Sequence, residues 1–500
     1  DLDAEAGAAS DAALAGDPTF RAQNVYAIAA ATLSTFEAAL GRRLAWGFGR
    51  HTLFLVPHAS AEANAFYSPQ SGAIFFGYIP EGDGEETLAS LSHDIVAHET
   101  THAVLDGLRP RFIEAGLPDQ PAFHEALGDC VALLSVFSQG EVVEALLGAA
   151  SGDGRLPPGA LKEDALRMGP LLGLAEKFGV AAGGSGALRR SVYLEPSRTI
   201  RDDPQFAEAH RRGEILVAAV TRTLLAIWTK RLEPLIDEET GADRERVAEE
   251  GTKAAEHLLR MLVRGIDYMP PLDLEFEDAL DSVLSADEVV APDDERHRYR
   301  TTLAEQFAAF GIDRPDDRIV DLTKVEPMPA YERMNAAVLR SDRDEAYRFL
   351  WENAEALGID RGPTTQVDTL RPSVRVGPDG LIVAETIVTY LQSLELSAGE
   401  AQELATAAGV EFPLPAGVDA ETPLEVWGGG VIVFDQFGRA KLHQRKPLAD
   451  WERQRRRLEH LAAHGLADGA GRIGFAEPAA TRDVRFSDLH AAGLEAEEEW

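Results

Sequence analysis

Residues 94–102 read Asp94-Ile-Val-Ala-His-Glu-Thr-Thr-His102, two histidines four apart with a glutamate directly after the first. That is the HExxH pattern. On a helix of 3.6 residues per turn, positions four apart share a face, so His98 and His102 can turn two imidazole nitrogens toward one ion. Glu99 lies about 100° further round the helix, poorly placed as a ligand in the same plane and well placed to reach a water held by that ion. The surrounding stretch from Glu86 to Leu108 has the matching period. Leu91, Ile95, Leu105 and Leu108 keep one side apolar, while Asp94, His98 and His102 form a polar row. Gly107 and Pro110 end the helix.

A catalytic zinc takes three protein ligands and leaves a fourth position for water, so the third ligand belongs on the next helix. Leu105 and Leu108 stand where an HExxHxxGxxH site needs glycine and histidine, which excludes that arrangement. Asp119 is placed to cap a second helix carrying Phe123, Leu127, Val131, Leu134 and Phe137. Glu125, 23 residues after His102, lies on its other face with Asp129 one turn later. Asp129 can accept a hydrogen bond from the rear nitrogen of a ligand imidazole and so fix its tautomer and orientation. Asp94, one turn before His98, is placed for similar work or to hold a structural cation. His93 and His124 read as surface or packing residues.

Further out, Asn24 to Leu40 has helical spacing with Gly41 as its stop, preceded by a leader over 1–19 without periodicity. Leu53–Val56 is a short buried strand, and Asn64–Tyr67 and Ala73–Tyr78 are two strands about a Ser-Pro-Gln-Ser-Gly turn. Residues 150–200 read as loops around a short helix at Leu161–Phe178. Helical patterns follow at Gly213–Leu232, Arg244–Val263 and Glu295–Phe310. The texture changes near 318: a helix over Ala330–Leu357, then two hairpins, one about Gly377-Pro-Asp-Gly380 and one about Asp435-Gln-Phe-Gly438.

The chain has 500 residues, with 48 Lys and Arg against 84 Asp and Glu, and the resulting charge of −36 repels nucleic-acid phosphates and anionic membranes. No apolar run reaches the roughly 18 residues of a membrane span. Cys130 is the single cysteine, which excludes an intrachain disulfide.

The segment Asp94–Asp106 resembles the active-site helix of thermolysin-like metallopeptidases of the gluzincin group, and His124-Glu125-Ala-Leu-Gly-Asp129 resembles that family's third-ligand segment. Asn64-Ala65-Phe66-Tyr67 is similar to its substrate-binding edge strand. Glu208-Ala-His210-Arg-Arg-Gly213 is similar, with one residue fewer, to the segment whose histidine stabilises the tetrahedral intermediate. The resemblance runs strongly over about 24–137 and ends near 315. It implies one catalytic zinc on His98, His102 and Glu125, with Glu99 as general base and His210 at the oxyanion. It also implies a peptide or protein substrate laid along Asn64 and Ala65.

The sequence departs from the family in three places. Residues 103–123 contain no tyrosine where the family has a catalytic one, and Arg109 and Arg111 are the candidates for a stand-in. Val136 replaces an acidic calcium ligand, which puts Ca2+ in doubt although Asp94 is retained. Either Arg198 or Arg201 would hold a substrate carbonyl.

The expected fold is α+β. A gluzincin-type two-lobe unit comprises a zinc-binding lobe at 20–145, with an N-terminal β-sheet and the active-site helices, and an α-rich lobe at 146–315. A smaller α+β domain at 318–480 and an acidic tail at 481–500 follow. The function expected is zinc-dependent peptide hydrolysis; the alternative is a weakly active or inactive protein of that fold, acting as a binding module. The C-terminal domain is a candidate surface for a protein partner under either reading. Lack of a signal-like opening and of disulfides leans cytoplasmic, while the resemblance leans exported.

Overall fold

The computed structural model describes residues 11–62, 64–80, 86–114, 116–147, 154–167, 191–315, 319–322, 335–377, 380–465 and 471–475. Helix α1 spans Pro18–Leu40, and a short helix at Asp11–Gly16 precedes it. Helix therefore begins inside the segment expected to be an unstructured leader. The signal was Asp17-Pro18: the Asp17 carboxylate accepts from the Thr19 N–H, and proline at the first helical position has no N–H to leave unpaired. At the other end Gly41 adopts φ 66°, the left-handed turn expected of it. A Cβ at Gly41 would lie 2.0 Å from the Val374 carbonyl oxygen, so this stop is also a close approach to a strand more than 300 residues away.

Three short strands, β1 (Phe54–Val56), β2 (Ala65–Ser68) and β3 (Ala73–Phe76), form a sheet in the order β1-β3-β2. Pairing is parallel for β1 with β3 and antiparallel for β2 with β3, which leaves β2 at an edge. The strand expected over 73–78 divides at Gly77, and Tyr78–Pro80 pairs instead with Glu86–Leu88. Gly77 turns its N–H to the Asn64 carbonyl, and the Glu62 and Asn64 carbonyls crowd it too closely for any side chain.

Helices α2 (His93–Leu108) and α3 (Asp119–Phe137) pack on each other, and α2 also packs on α1. Helix α4 (Ala209–Leu232) lies along α3, followed by α5 (Arg244–Gly265), α6 (Phe276–Val290) and α7 (Tyr299–Ala309). Leu105, Leu127, Val131, Leu134, Val220, Leu258 and Phe276 belong to the one continuous core that joins these helices. Asp119 is the first residue of α3 rather than its cap. Its carboxylate reaches outward to Arg212, Arg201 and the Phe276 N–H. Of the helix expected at 161–178, Glu163–Arg167 is described, and 168–190 lie outside the described residues.

The C-terminal part is a five-stranded antiparallel sheet in the order β4-β8-β7-β6-β5, from β4 (Ile319–Asp321), β5 (Thr364–Val376), β6 (Ile382–Ser397), β7 (Pro423–Asp435) and β8 (Ala440–Lys446). Both hairpins read from their turns are present. The helix expected over Ala330–Leu357 is broken into Ala336–Leu339, α8 (Arg343–Glu352) and Ala354–Leu357. Asn335 and Asp342 side chains accept backbone N–H groups at two of these starts, a local competition that the apolar period concealed. Residues 323–334 and the tail at 481–500 lie outside the described residues.

The two-residue period of a strand sends alternate side chains to opposite faces, and here both faces are covered. Val388, Tyr390, Ile432 and Phe434 pack against Phe349, Leu350 and Leu357. Ile387, Val431 and Val433 pack against Tyr268 and Ala286. The sheet is thus a layer between its own helices and α6. Beyond it, α9 (Ala398–Ala407) and α10 (Trp451–Ala463) share a further apolar cluster. Among the described residues no single helix is long and apolar enough to cross a membrane.

Candidate metal centre

His98 and His102 project from α2 with their Nε2 atoms 2.8 Å apart and their rings nearly perpendicular. Glu125, from α3, sets Oε2 at 3.4 Å from the first Nε2 and 3.7 Å from the second. His102 and Glu125 are buried, and His98 keeps a small exposed edge. Gly128 makes room for the Nδ1 side of the His98 ring: a Cβ there would lie 2.7 Å from His98 Nδ1.

The rear nitrogens decide which way the front ones face. His98 Nδ1 lies 2.9 Å from Asp129 Oδ1, where an ionised carboxylate can only accept, so Nδ1 carries a proton. His102 Nδ1 lies 2.7 Å from His124 Nδ1. Burial pushes His124 down to about 4, so it is a neutral ring that can accept that proton. Both Nε2 atoms then turn lone pairs toward each other and toward a carboxylate oxygen. Only a cation or a proton relieves that arrangement. Burial lowers the His98 pKa, but Asp129 and Glu125 outweigh it and hold the pKa well above the usual imidazole value. Two nitrogens and one carboxylate oxygen, with no thiolate, are the donor set of a catalytic zinc, and the buried atoms lie within reach of one ion. Two overlapping groups, His98 with Glu99 and His102, and His102 with His124 and Glu125, have candidate ligand atoms within 4.8 Å of one another.

Glu99 is buried beside this cluster and accepts the Tyr67 N–H at 2.9 Å. Burial, then the Glu125 charge, push its pKa up to about 8 against the opposing pull of His98, the Tyr67 N–H and His210. A dication on the two histidines would draw it back down. Tyr67 sits on the outer edge of β2, so Ala65, two residues earlier, turns its own N–H and carbonyl to the same edge. The Tyr67 hydroxyl donates to Asp106 Oδ2 at 2.7 Å, which ties this strand to the end of α2.

His210 joins the cluster from α4, with Nε2 3.1 Å from Glu125 Oε2. Glu208, not the histidine, caps that helix. Its carboxylate accepts the N–H groups of His210 and Arg211 and pairs with His210 Nδ1 at 2.9 Å. Burial lowers the His210 pKa, but Glu125 and Glu208 outweigh it and raise the value to about 10.

Other expected residues lie elsewhere. Asp94 takes a hydrogen bond from Ser92 at the start of α2 and belongs to neither group of candidate ligands among the described residues. Arg201 is engaged with Asp119, Glu277 and the Gly311 carbonyl, and Arg198 with Asp313 and the Ala308 carbonyl. Arg109 is buried and donates to the Leu108 and Met269 carbonyls, while Arg111 pairs with Glu114 and lies over the Trp427 ring. His124 is the opposite case, read as a packing residue and found against a ring nitrogen of His102. Its position next to Glu125 was the available clue. Glu208, two residues before His210 at a helix start, was a second.

No curated protein matches the chain. Residues 9–106 match the family model described as thermolysin metallopeptidase, catalytic domain, a segment that contains His98, Glu99 and His102 and stops before Glu125. That match supports a place for the chain in the thermolysin-like metallopeptidase family.

Proposed function

We propose that the protein is a zinc-dependent peptidase, with His98, His102 and Glu125 as zinc ligands. The observation that carries this reading is the convergence of two imidazole Nε2 atoms and a buried carboxylate at 2.8, 3.4 and 3.7 Å, with a second buried carboxylate, Glu99, beside them. Zinc bound there would acidify a water and polarise a peptide carbonyl. Glu99 takes the proton of the attacking water and returns it to the leaving amine, its carboxylate aimed by the Tyr67 N–H. His210, kept cationic by Glu125 and Glu208, offers Nε2–H to the developing oxyanion, a contribution of about 3–4 kcal/mol for one such donor. An extended peptide adds a strand along the open edge at Ala65 beside Asn64. Arg201 has no part in this scheme, since its guanidinium is committed to Asp119 and Glu277.

Metal analysis and a broad peptide library test the reading on the full chain. The expected result is one zinc per chain and cleavage that stops on chelation and returns with zinc. One zinc without cleavage of any peptide would favour the binding-module alternative, for which the missing tyrosine speaks. Asp129→Ala is expected to weaken zinc binding by roughly 10- to 100-fold, because His98 loses the partner that fixes its tautomer. A competitive chelator titration reads this directly.

A further inference from the structure

Helix α2 ends on carbonyls that have no intrahelical donor, and its last turn contains no basic residue to offset the negative end of its dipole. The missing cation comes from β5. Arg371 donates Nη1 to the Leu108 carbonyl at 2.7 Å and Nη2 to the Gly107 carbonyl at 3.1 Å, a two-pronged grip on the last turn. Arg109 adds a donor to Leu108 at 3.1 Å.

Helix α3 is held at its opposite end by residues 273–276. The Asp119 carboxylate accepts the Phe276 N–H at 3.1 Å, and Gln120 Oε1 accepts the Leu274 N–H at 3.4 Å. That segment is fastened in turn from the C-terminal part of the chain. Arg453 and Arg457 both pair with Asp273, the second at 2.7 Å, and Lys446 and Arg456 pair with Glu275 at 2.7 and 2.8 Å. Asp273 is fully buried with φ 49°, a left-handed backbone that a non-glycine residue keeps only when its surroundings impose it.

We propose that residues 364–457 act as a brace that sets the two ligand-bearing helices relative to each other, with Arg371 and the Asp273–Arg453–Arg457 cluster as positioning residues of the metal centre. The inference rests on the zinc reading above. His102 and Glu125 each lie six residues from a braced helix end, about 9 Å along a stiff helix. A small displacement of either end therefore reaches the ligand atoms almost undiminished. Metal–ligand distances tolerate shifts of only about 0.2 Å, so the site registers displacements that a packed core absorbs.

The test is zinc affinity of the full chain, by chelator competition well below the unfolding temperature of the metal-free protein. The variants are Arg371→Gln, Arg371→Lys and Arg457→Gln. Arg371→Gln is expected to raise the zinc dissociation constant by roughly 3- to 10-fold, less than the roughly 10- to 100-fold of a group bonded to a ligand itself. Arg371→Lys, which keeps the charge and one donor, is expected to recover most of that loss. Arg457→Gln leaves Arg453 on Asp273 and carries the test if the first variant does not fold. Folded variants with wild-type zinc affinity overturn the brace, however far their metal-free melting temperatures fall, because a merely structural role lowers the melting temperature alone. A wild-type chain that binds no zinc removes the metal reading and the brace with it; zinc-binding wild type with unaltered variants removes the brace alone.

Discussion

Glu99→Gln is expected to hold zinc as the wild type does and to lose peptide hydrolysis by a factor of about 10²–10⁴, the usual contribution of a positioned general base. Glutamine keeps the size of the side chain and an oxygen to accept the Tyr67 N–H, so the local packing on β2 survives the change. What it lacks is a basic oxygen to take a proton from water. The loss should fall on kcat, with KM little changed, because Ala65 and Asn64 still hold the peptide. Steady-state kinetics with zinc content measured on the same samples decide the matter. A variant that cleaves peptides at the wild-type rate with full zinc would sink Glu99 as the base.

His98→Ala is expected to abolish stable zinc binding, beyond the roughly 100-fold that marks the upper range for loss of an outer partner. His98 supplies one of three converging donors and also engages Asp129 and Glu125. With the ring gone, His102 and Glu125 offer two donors, too few for a closed catalytic set. His98 is the ligand to test first because its ring keeps an edge to solvent, whereas His102 is wholly buried and its loss opens a cavity. Metal analysis after dialysis is the measurement. Retention of one zinc per chain would overturn the ligand assignment.

The parts of the site that lie within one helix are legible in the sequence. His98, Glu99 and His102 share a helix whose geometry is the same in every protein, so spacing alone gives their angular relation. Asp129 follows Glu125 by one turn, and the same arithmetic sets it behind a ligand. The hairpins about Gly377–Gly380 and Asp435–Gly438 are readable for a similar reason, since turn residues impose backbone angles that act over only a few positions. Expectation and fold part where two local signals compete. The apolar period over 330–357 hides the capping side chains of Asn335 and Asp342, and the low complexity of the first residues hides the cap at Asp17-Pro18.

Partnerships across the chain are not legible in this way. The spacing of HExxH cannot reveal that His124 rather than an acid backs His102, that Glu208 both caps α4 and pins His210, or that Arg201 is already engaged by Asp119 and Glu277. Nor can it reveal that Arg371 closes the end of a helix more than 260 residues earlier. Helix geometry and turn chemistry act over a few residues, so the shared face of His98 and His102, the angular offset of Glu99 and the one-turn spacing of Glu125 and Asp129 were legible in the sequence alone. Ion-pair and hydrogen-bond partners are selected by which surfaces come to lie within about 3 Å after the elements have packed. That docking depends on the whole core at once, and only the tertiary structure decided it.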